Sequence, residues 1–433
     1  MDVTIPHQRF TLPNGLNLLV HEDHRVPVVS VNLWYRVGSG NEAPGGTGFA
    51  HLFEHLMFEG SAHVPAGQFD RLLESAGGSN NGSTSTDRTN YWANVPSSAL
   101  ELVLWLESDR MGFLLETMGQ EQLDLQRDVV KNERRQSYEN RPYGLAWETL
   151  TGNLYREGHP YHHSVIGSMA DLDAASLDDV QRFFRTYYAP NNASLAIAGD
   201  VTAERARALV EKWFGELPAG APPPAVEAPE VGLPRGIRLT MEDRVQLPRF
   251  YMAWHSPAHY TDEDAALGLL SSVLAEGKAS RLTRRLVYED QLAQDARAFQ
   301  SGATHGGAFE VVVTAKPDVG LGALEEVVRE EIERVAREGV DEAEVERALT
   351  QVEAGFVHAL QRVGGFGGKA DRLNEYQVFT GDPDFVRDDL ARYERVTPAM
   401  IAEAARRRLV DAHAVTLSVV PEGRRDLGAG ETV

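Results

Sequence analysis

The sequence predicts an α+β protein built from two copies of one unit of about 200 residues each. The same order of strands and helices occurs before and after a proline-rich segment at 216–236. Each half closes with a similar strand, at 192–198 and at 413–419. The chain of 433 residues is long enough for two domains with separate cores. We therefore expect a first domain at 1–215, a linker at 216–236 and a second domain at 237–433.

In the first half, two strands precede a buried helix. Residues 16–20 follow the turn signal Asn14-Gly15, and residues 28–37 are rich in β-branched and aromatic side chains. Residues 49–59 are apolar on nearly every side, which is typical of a buried helix. The remaining predicted elements of this half are helix 66–75, strand 90–95, helices 98–117, 121–138 and 177–186, strand 193–198 and helix 203–214.

The segment 216–236 separates the halves because it holds six prolines and almost no periodic apolar pattern, which is typical of an extended linker. The order of elements then repeats. The predicted elements of the second half are strand 250–254, helix 262–276, strand 308–314, helices 324–338, 342–362 and 400–409, and strand 414–420.

Composition excludes several classes of function. With 64 acidic and 42 basic residues the net charge is −22, and a surface this acidic repels phosphate backbones and anionic lipids. We therefore expect no nucleic-acid partner, and no membrane association, since no apolar run reaches the roughly 18 residues of a membrane span. The first residues lack the pattern of a signal peptide. We expect a cytoplasmic protein, or a periplasmic one if a signal peptide has been removed.

The chain contains no cysteine. This excludes disulfide scaffolds, thiolate zinc sites, iron–sulfur clusters and cysteine nucleophiles. Any metal ion must therefore be held by His, Asp or Glu.

The strongest functional signal is the segment His51-Leu52-Phe53-Glu54-His55 in the predicted buried helix. Two histidines four residues apart lie on one helical face, which suits two imidazole ligands on a single zinc ion. Glu54 lies beside that face, where its carboxylate can reach a water at the metal rather than the metal itself. This H-x-x-E-H order is the inverted form of a zinc-peptidase motif, so we expect Zn²⁺ as the cofactor.

The alternative is a core helix that holds two histidines and a glutamate by chance. Burying three polar or ionisable groups in so apolar a helix is costly unless a partner compensates. A metal ion supplies that compensation, so the pattern favours ligation.

The chain resembles the inverzincin peptidases of the pitrilysin and mitochondrial-processing-peptidase type, in their bacterial branch with a single duplication. The resemblance covers nearly all of the sequence. Besides H-x-x-E-H, it rests on the segments at 45–50, 56–61, 80–85 and 187–192. It implies two homologous α+β domains, each a mostly antiparallel sheet covered by helices, that form half of a clam-shell chamber.

The resemblance also implies the third zinc ligand. Family members carry this glutamate on a later helix, and the matching residue is Glu133, which lies 78 residues after His55. The sequence alone does not separate Glu133 from Glu116, Glu121 or Glu139.

At one position the chain departs from the family pattern. Many members carry a second glutamate seven residues before the ligand, and here that residue is Gln126. A neutral amide can form hydrogen bonds near the site, but it adds no negative charge and moves no proton. Gln126 is either a supporting group behind the ligands or an ordinary helix residue.

Asn81 and Gly82 match the family positions that contact the substrate. There, an extended peptide adds as a further strand to the edge of a sheet. The alternative is a plain turn of Gly, Asn and Ser. Since a folded protein cannot present a free strand, the resemblance implies oligopeptides or unfolded polypeptides as substrates.

The predicted function is that of a zinc metallo-endopeptidase acting through metal-activated water. His51, His55 and Glu133 are the expected ligands and Glu54 is the expected catalytic base. The alternative is a catalytically silent or partner-dependent subunit of a heteromeric peptidase complex. Because one domain pair encloses only half a chamber, the resemblance implies a homodimer, or a heterodimer with a homologous subunit that lacks zinc ligands.

Two further motifs favour structural roles. The run His159-Pro160-Tyr161-His162-His163 has no nearby carboxylate to complete a metal site, so a surface loop is favoured. The run Gly364-Gly365-Phe366-Gly367-Gly368 lacks the strand and the Lys-Ser/Thr ending of a phosphate loop. We expect a hinge or a loop that lines the chamber.

Overall fold

Each half of the chain forms one β-sheet in the computed structural model, which describes residues 3–430. In sheet order, the first sheet contains β1 (Gln8–Thr11), β2 (Asn17–Glu22), β6 (Ala193–Gly199), β3 (Val28–Tyr35), β5 (Thr89–Pro96) and β4 (Ser79–Thr84). The second sheet contains, in sheet order, β7 (Ile237–Asp243), β11 (Val415–Pro421), β8 (Arg249–Ser256), β10 (Gly306–Ala315) and β9 (Ala293–Ala303).

The two sheets repeat one topology. In the first, β2 and β6 are parallel, while β6–β3, β3–β5 and β5–β4 are antiparallel pairs. In the second, β7 and β11 are parallel, while β11–β8, β8–β10 and β10–β9 are antiparallel pairs. The two orders coincide strand by strand, with β1 added to the first sheet. The predicted α+β class with two similar, mostly antiparallel sheets is therefore confirmed.

Helices cover both sheets, and several begin at a serine or threonine whose side chain accepts a hydrogen bond from the first turn, as at Ser176, Thr202 and Thr261. Within residues 3–430, no helix is long and apolar enough to cross a membrane. The helices are α1 (Phe49–Leu56), α2 (Gln68–Ser75), α3 (Leu100–Phe113), α4 (Gln120–Arg134), α5 (Ala146–Leu154), α6 (Met169–Ala174), α7 (Leu177–Tyr187), α8 (Ala203–Phe214), α9 (Asp262–Ala275), α10 (Leu321–Glu338), α11 (Glu342–Gln361), α12 (Lys369–Phe379), α13 (Val386–Glu394) and α14 (Pro398–Ala405).

The chain packs into two compact units that exchange segments between its halves. The first unit contains the chain through Glu133 together with His163–Glu227 and Gly355–Asp388. The second contains Arg134–His162, Ala228–Ala354 and the chain from Asp389 onward. Residues 216–236 contain neither helix nor strand. The predicted division of the chain into a first domain at 1–215, a linker at 216–236 and a second domain at 237–433 stays a prediction.

The exchanged segments build hydrophobic cores. In the first unit, Leu373 of α12 packs in a buried cluster with Leu19, Ala196 and Ala198 of the sheet. In the second unit, α5 packs in a cluster with side chains of β8, β10 and β11. Each unit therefore buries one face of its sheet under a helix from the opposite half of the sequence.

Several elements near the predicted site differ from the sequence prediction. The helix predicted at 49–59 ends at Leu56, and His51, Glu54 and His55 lie half-buried on a polar face rather than in an all-round apolar helix. The helix predicted at 121–138 is α4, followed by a wider helical turn at Arg135–Glu139. The Asn-rich segment Ser79–Thr84 forms the edge strand β4 although Asn, Gly and Ser have low strand propensity.

Replacing Leu373 with alanine should destabilise the first unit, although Leu373 comes from the second half of the sequence. The side chain is fully buried, so its truncation leaves a cavity that costs about 3 kcal/mol. We expect the melting temperature to fall by roughly 5–10 °C in differential scanning calorimetry. Leu125→Ala is the control, because Leu125 is 54% exposed. Equal melting temperatures for both variants would contradict the packing of α12 in this core.

Candidate metal centre

The predicted motif lies on α1, which is packed on one side and open on the other. Gly48 precedes the helix with a φ of 91°, a left-handed conformation that suits glycine. On the packed side, the ring of Phe53 stacks on Phe183 and Tyr188 with centroids 5.2 Å away in both cases. His51 and His55 therefore lie on the opposite, half-buried face.

A buried carboxylate holds the N-terminus of α1. Glu42 accepts hydrogen bonds from the backbone N–H groups of Gly48 at 2.9 Å and Ala50 at 2.8 Å. These groups belong to the first turn of the helix, where N–H donors lack intrahelical partners and the helix dipole is positive. Nε2 of His163 lies 2.8 Å from the same carboxylate and 3.1 Å from the carbonyl of Ser39. The start of the motif helix is thus fixed by one fully buried acid.

The environment shifts the pKa values of both members of this pair. Burial raises the pKa of Glu42, and the hydrogen bonds from His163 and from the helix oppose that change. Burial alone would lower the pKa of His163, but the hydrogen bond and the charge of Glu42 outweigh it, so the pKa is raised. The pair therefore favours an imidazolium beside the buried acid.

His51, His55 and Glu133 lie together as a three-residue cluster. Oε2 of Glu133 lies 3.6 Å from Nε2 of His51 and 3.3 Å from Nε2 of His55. Among residues 3–430, these three form the one group of three or more His, Asp or Glu residues with a donor atom each within 4.8 Å of one another. Tetrahedral zinc with bonds near 2.0 Å places its ligand atoms about 3.3 Å apart. The donor set and its spacing therefore fit a single zinc ion.

The ionisation of this cluster also suits a metal. Burial, followed by the neighbouring charge of His55, lowers the pKa of His51 and keeps its imidazole neutral. The hydrogen bond with His55 lowers the pKa of Glu133 and keeps its carboxylate charged. Neutral imidazole and ionised carboxylate are the forms that bind metal ions. Nδ1 of His51 is buried and has no hydrogen-bond partner among the described residues.

Glu54 lies against the edge strand β4. Its Oε2 accepts a hydrogen bond of 2.6 Å from the hydroxyl of Thr84. Burial raises the pKa of Glu54, and the hydrogen bond from Thr84 opposes the rise. A Cβ on Gly82 would lie 3.2 Å from Cγ of Glu54 and 3.2 Å from the ring of Tyr91. Glycine at this position therefore lets β4 approach the helix closely.

The other predicted site residues lie nearby but make different contacts. Asn81 is exposed on β4, opposite Trp92 of β5, and its Oδ1 accepts the N–H of Gly82 at 2.8 Å. The amide of Gln126 is buried on α4 and donates to the carboxylate of Glu59, just beyond α1. Roles for Asn81 and Gln126 toward a substrate or a metal stay predictions.

Sequence reasoning missed three residues that support this site. Thr84 lies two residues after Gly82, so both face the same side of β4. Its contact with Glu54 could be predicted only if β4 was already known to lie beside α1. The expectation of a surface loop at 159–163 is wrong for His163, because the fold places it against the buried carboxylate of Glu42, 121 residues away in sequence. No local pattern in the sequence marks that pair.

Comparison with known proteins identifies the family. Residues 18–166 match the family described as Insulinase (Peptidase family M16), and residues 174–352 match the one described as Peptidase M16 inactive domain. The chain belongs to peptidase family M16. The resemblance predicted from the sequence motifs is therefore confirmed.

The alignments with M16 relatives cover most of this chain and most of each relative. "Zinc protease PqqE" of Helicobacter pylori is 31% identical over 382 residues, which cover 86% of this chain and 85% of the relative. "Probable mitochondrial-processing peptidase subunit beta, mitochondrial" of Arabidopsis thaliana is 25% identical over 95% of this chain and 78% of the relative. The crystal structure of a protease from Helicobacter pylori superimposes with a TM-score of 0.87 at 27% identity, over 96% of this chain and 100% of that one.

The stability contribution of His163 should depend on pH. Since its folded-state pKa is raised, the contribution is complete below the ordinary value of 6.5 and is lost as pH rises through the folded value. The melting temperature of His163→Gln should therefore fall furthest below wild type near pH 5 and approach it near pH 9, roughly the range that brackets this titration. His358→Gln, at an exposed histidine of α11, is the control. A difference independent of pH would contradict the charged pair.

Proposed function

We propose that this M16 protein is a zinc-dependent endopeptidase that hydrolyses oligopeptides and unfolded polypeptides. The proposal rests on the cluster of His51, His55 and Glu133, whose donor atoms lie within 4.8 Å of one another. Glu54 lies next to His55 on the same helix. Relatives named zinc proteases support the same proposal.

Each residue of the cluster has a defined task in this proposal. His51, His55 and Glu133 would hold the Zn²⁺ ion, which would polarise the scissile carbonyl and lower the pKa of a water molecule. Glu54 accepts the proton of the attacking water and passes it to the leaving amine. Burial raises the pKa of Glu54, which makes its carboxylate a stronger base than that of an exposed glutamate. Thr84 keeps one carboxylate oxygen oriented through its hydrogen bond.

Substrate binding at β4 is supported by its place in the sheet. β4 is the last strand of the first sheet, so its outer edge has no strand partner among the described residues. An extended peptide adds there through backbone hydrogen bonds, with Asn81 and Gly82 next to its path. Because the backbone of a folded protein is already paired, unfolded chains and short peptides are the substrates that fit this mode.

Assembly is part of the proposal. We propose a homodimer, or a heterodimer with a homologous subunit that lacks zinc ligands. The relative from Arabidopsis is named as a subunit of a processing peptidase, which supports a partner for this chain.

Glu54→Gln should abolish hydrolysis without removing zinc. The amide keeps the size of the side chain but accepts no proton, so kcat for a quenched peptide should fall about 10³-fold. Glu133→Gln should instead lower the zinc content, because a neutral amide is a poor zinc ligand. Glu121→Gln, exposed on the same helix, is the matched control for both measurements. Turnover by Glu54→Gln close to that of wild type, or full zinc content in Glu133→Gln, would contradict the assigned roles.

The alternative is a silent or partner-dependent subunit, which is supported by the relative that is named as a subunit of a processing peptidase. Zinc content and peptidase activity of the purified chain, alone and mixed with a homologous subunit, distinguish the cases. The proposal expects zinc and activity in the chain alone or as a homodimer. Zinc without activity, restored by the homologous subunit, identifies the partner-dependent form. Absence of both zinc and activity contradicts the proposal.

A further inference from the structure

The first sheet carries a second polar cluster on the face opposite α1. On β5, the hydroxyl of Tyr91 points toward α1 and lies 3.5 Å from the carbonyl of Phe53. Side chains alternate along a strand, so the neighbouring Asn90 points to the other face. There its amide meets Asp371 of α12 at 2.9 Å. The exchanged segment of the first unit thus contacts the reverse side of the strand that borders β4.

The glycine run at 364–368 brings this segment close to the sheet. A Cβ on Gly364 would overlap the side chains of Ser30 and Asn94, so glycine permits the contact. The ring of Phe366 stands edge-on to Trp92 with centroids 5.6 Å apart. The run is therefore a close packing contact within the first unit.

Asp371 is the centre of the cluster. Its Oδ1 accepts hydrogen bonds from Asn32 at 3.2 Å, Trp34 at 2.8 Å and Asn90 at 2.9 Å. Its Oδ2 accepts the backbone N–H of Gly367 at 2.7 Å. The residue is 7% exposed, so these four donors replace water around a buried carboxyl group. All four of these groups donate, so the position needs a side chain with an acceptor atom at both of its terminal positions.

Asn90 connects Asp371 to β4 through hydrogen bonds. With its NH₂ group directed at Asp371, its Oδ1 accepts from the hydroxyl of Ser83 at 2.6 Å and from Nη1 of Arg88 at 3.3 Å. Nη1 of Arg88 also donates to the carbonyl of Ser83 at 2.9 Å. Ser83 precedes Thr84, which donates to Glu54. A hydrogen-bonded path therefore runs from α12 through the sheet to the strand beside the metal cluster.

We propose that Asp371 is a positioning residue for peptide hydrolysis. It fixes the orientation of the Asn90 amide, and this orientation holds β4 in the place where an extended substrate pairs with it and Thr84 contacts Glu54. The inference rests on the proposed function. In this inference, the position of β4 depends on a residue from the second half of the sequence.

The test compares Asp371→Asn and Ser83→Ala with wild type and with Asp388→Asn, an exposed acid in the same exchanged segment. Four quantities are measured: zinc content, kcat for a quenched peptide, KM for the same peptide, and hydrogen exchange of residues 79–84. Asp371→Asn should raise KM about tenfold with a smaller change in kcat, since strand pairing is weakened more than chemistry. Exchange in β4 should accelerate while zinc content is unchanged.

Ser83→Ala removes only the hydroxyl links on β4 and should change KM in the same direction by a smaller factor. Unchanged KM and unchanged β4 exchange in an active, folded Asp371→Asn protein would overturn the inference, as would loss of zinc from that variant. If Asp371→Asn does not fold, an unchanged KM for Ser83→Ala overturns it. If the wild-type protein shows no zinc-dependent hydrolysis, the proposed function is refuted instead. Hydrogen exchange in β4 of Asp371→Asn then still tests whether Asp371 stabilises that strand.

Discussion

The arrangement of His51, His55 and Glu133 depends on where α1 begins, and that point is set by the buried carboxylate of Glu42. An isolated helix of eight residues is not stable in water, so tertiary contacts must hold α1. Glu42 supplies an anion at the positive end of the helix, and the stacked ring of Phe53 supplies apolar packing along it. With the start and the packed side both determined, His51 and His55 can face only toward Glu133.

The duplicated fold places a second helix, α9, at the position in the second half that α1 has in the first. α9 is buried along most of its length, including Leu267, Leu270 and Val273, and contains no H-x-x-E-H segment. The same topology therefore uses one helix as core and the other as a support for polar side chains. What distinguishes them is the chemistry of their half-buried face, which carries His51, Glu54 and His55 on α1 but only the small residues Gly268, Ser271 and Ala275 on α9.

Much of this could be predicted from the sequence, because the informative patterns are local. The spacing of His51 and His55 indicates one helical face, and the repeated element order indicates duplication. Glu133 required a family resemblance, since helix periodicity treats all exposed glutamates alike. The pair Glu42–His163 and the polar cluster at Asp371 could not be predicted, because their partners are far apart in sequence and meet only in the folded sheet. β4 could not be predicted either, because Asn, Gly and Ser have low strand propensity. Its strand conformation comes from pairing with β5.

The exchange of α5 and α12 affects what a broken chain could do. The segment at 216–236 is largely exposed and has no regular structure, which is where proteases cut most readily. After a single cut there, each fragment would still contain a piece of the other fragment's compact unit. Neither fragment could leave without exposing part of both cores. The two halves would behave as a noncovalent complex, and a nicked molecule would keep its fold under mild conditions but unfold at a lower temperature than the intact chain, because its fragments separate on unfolding.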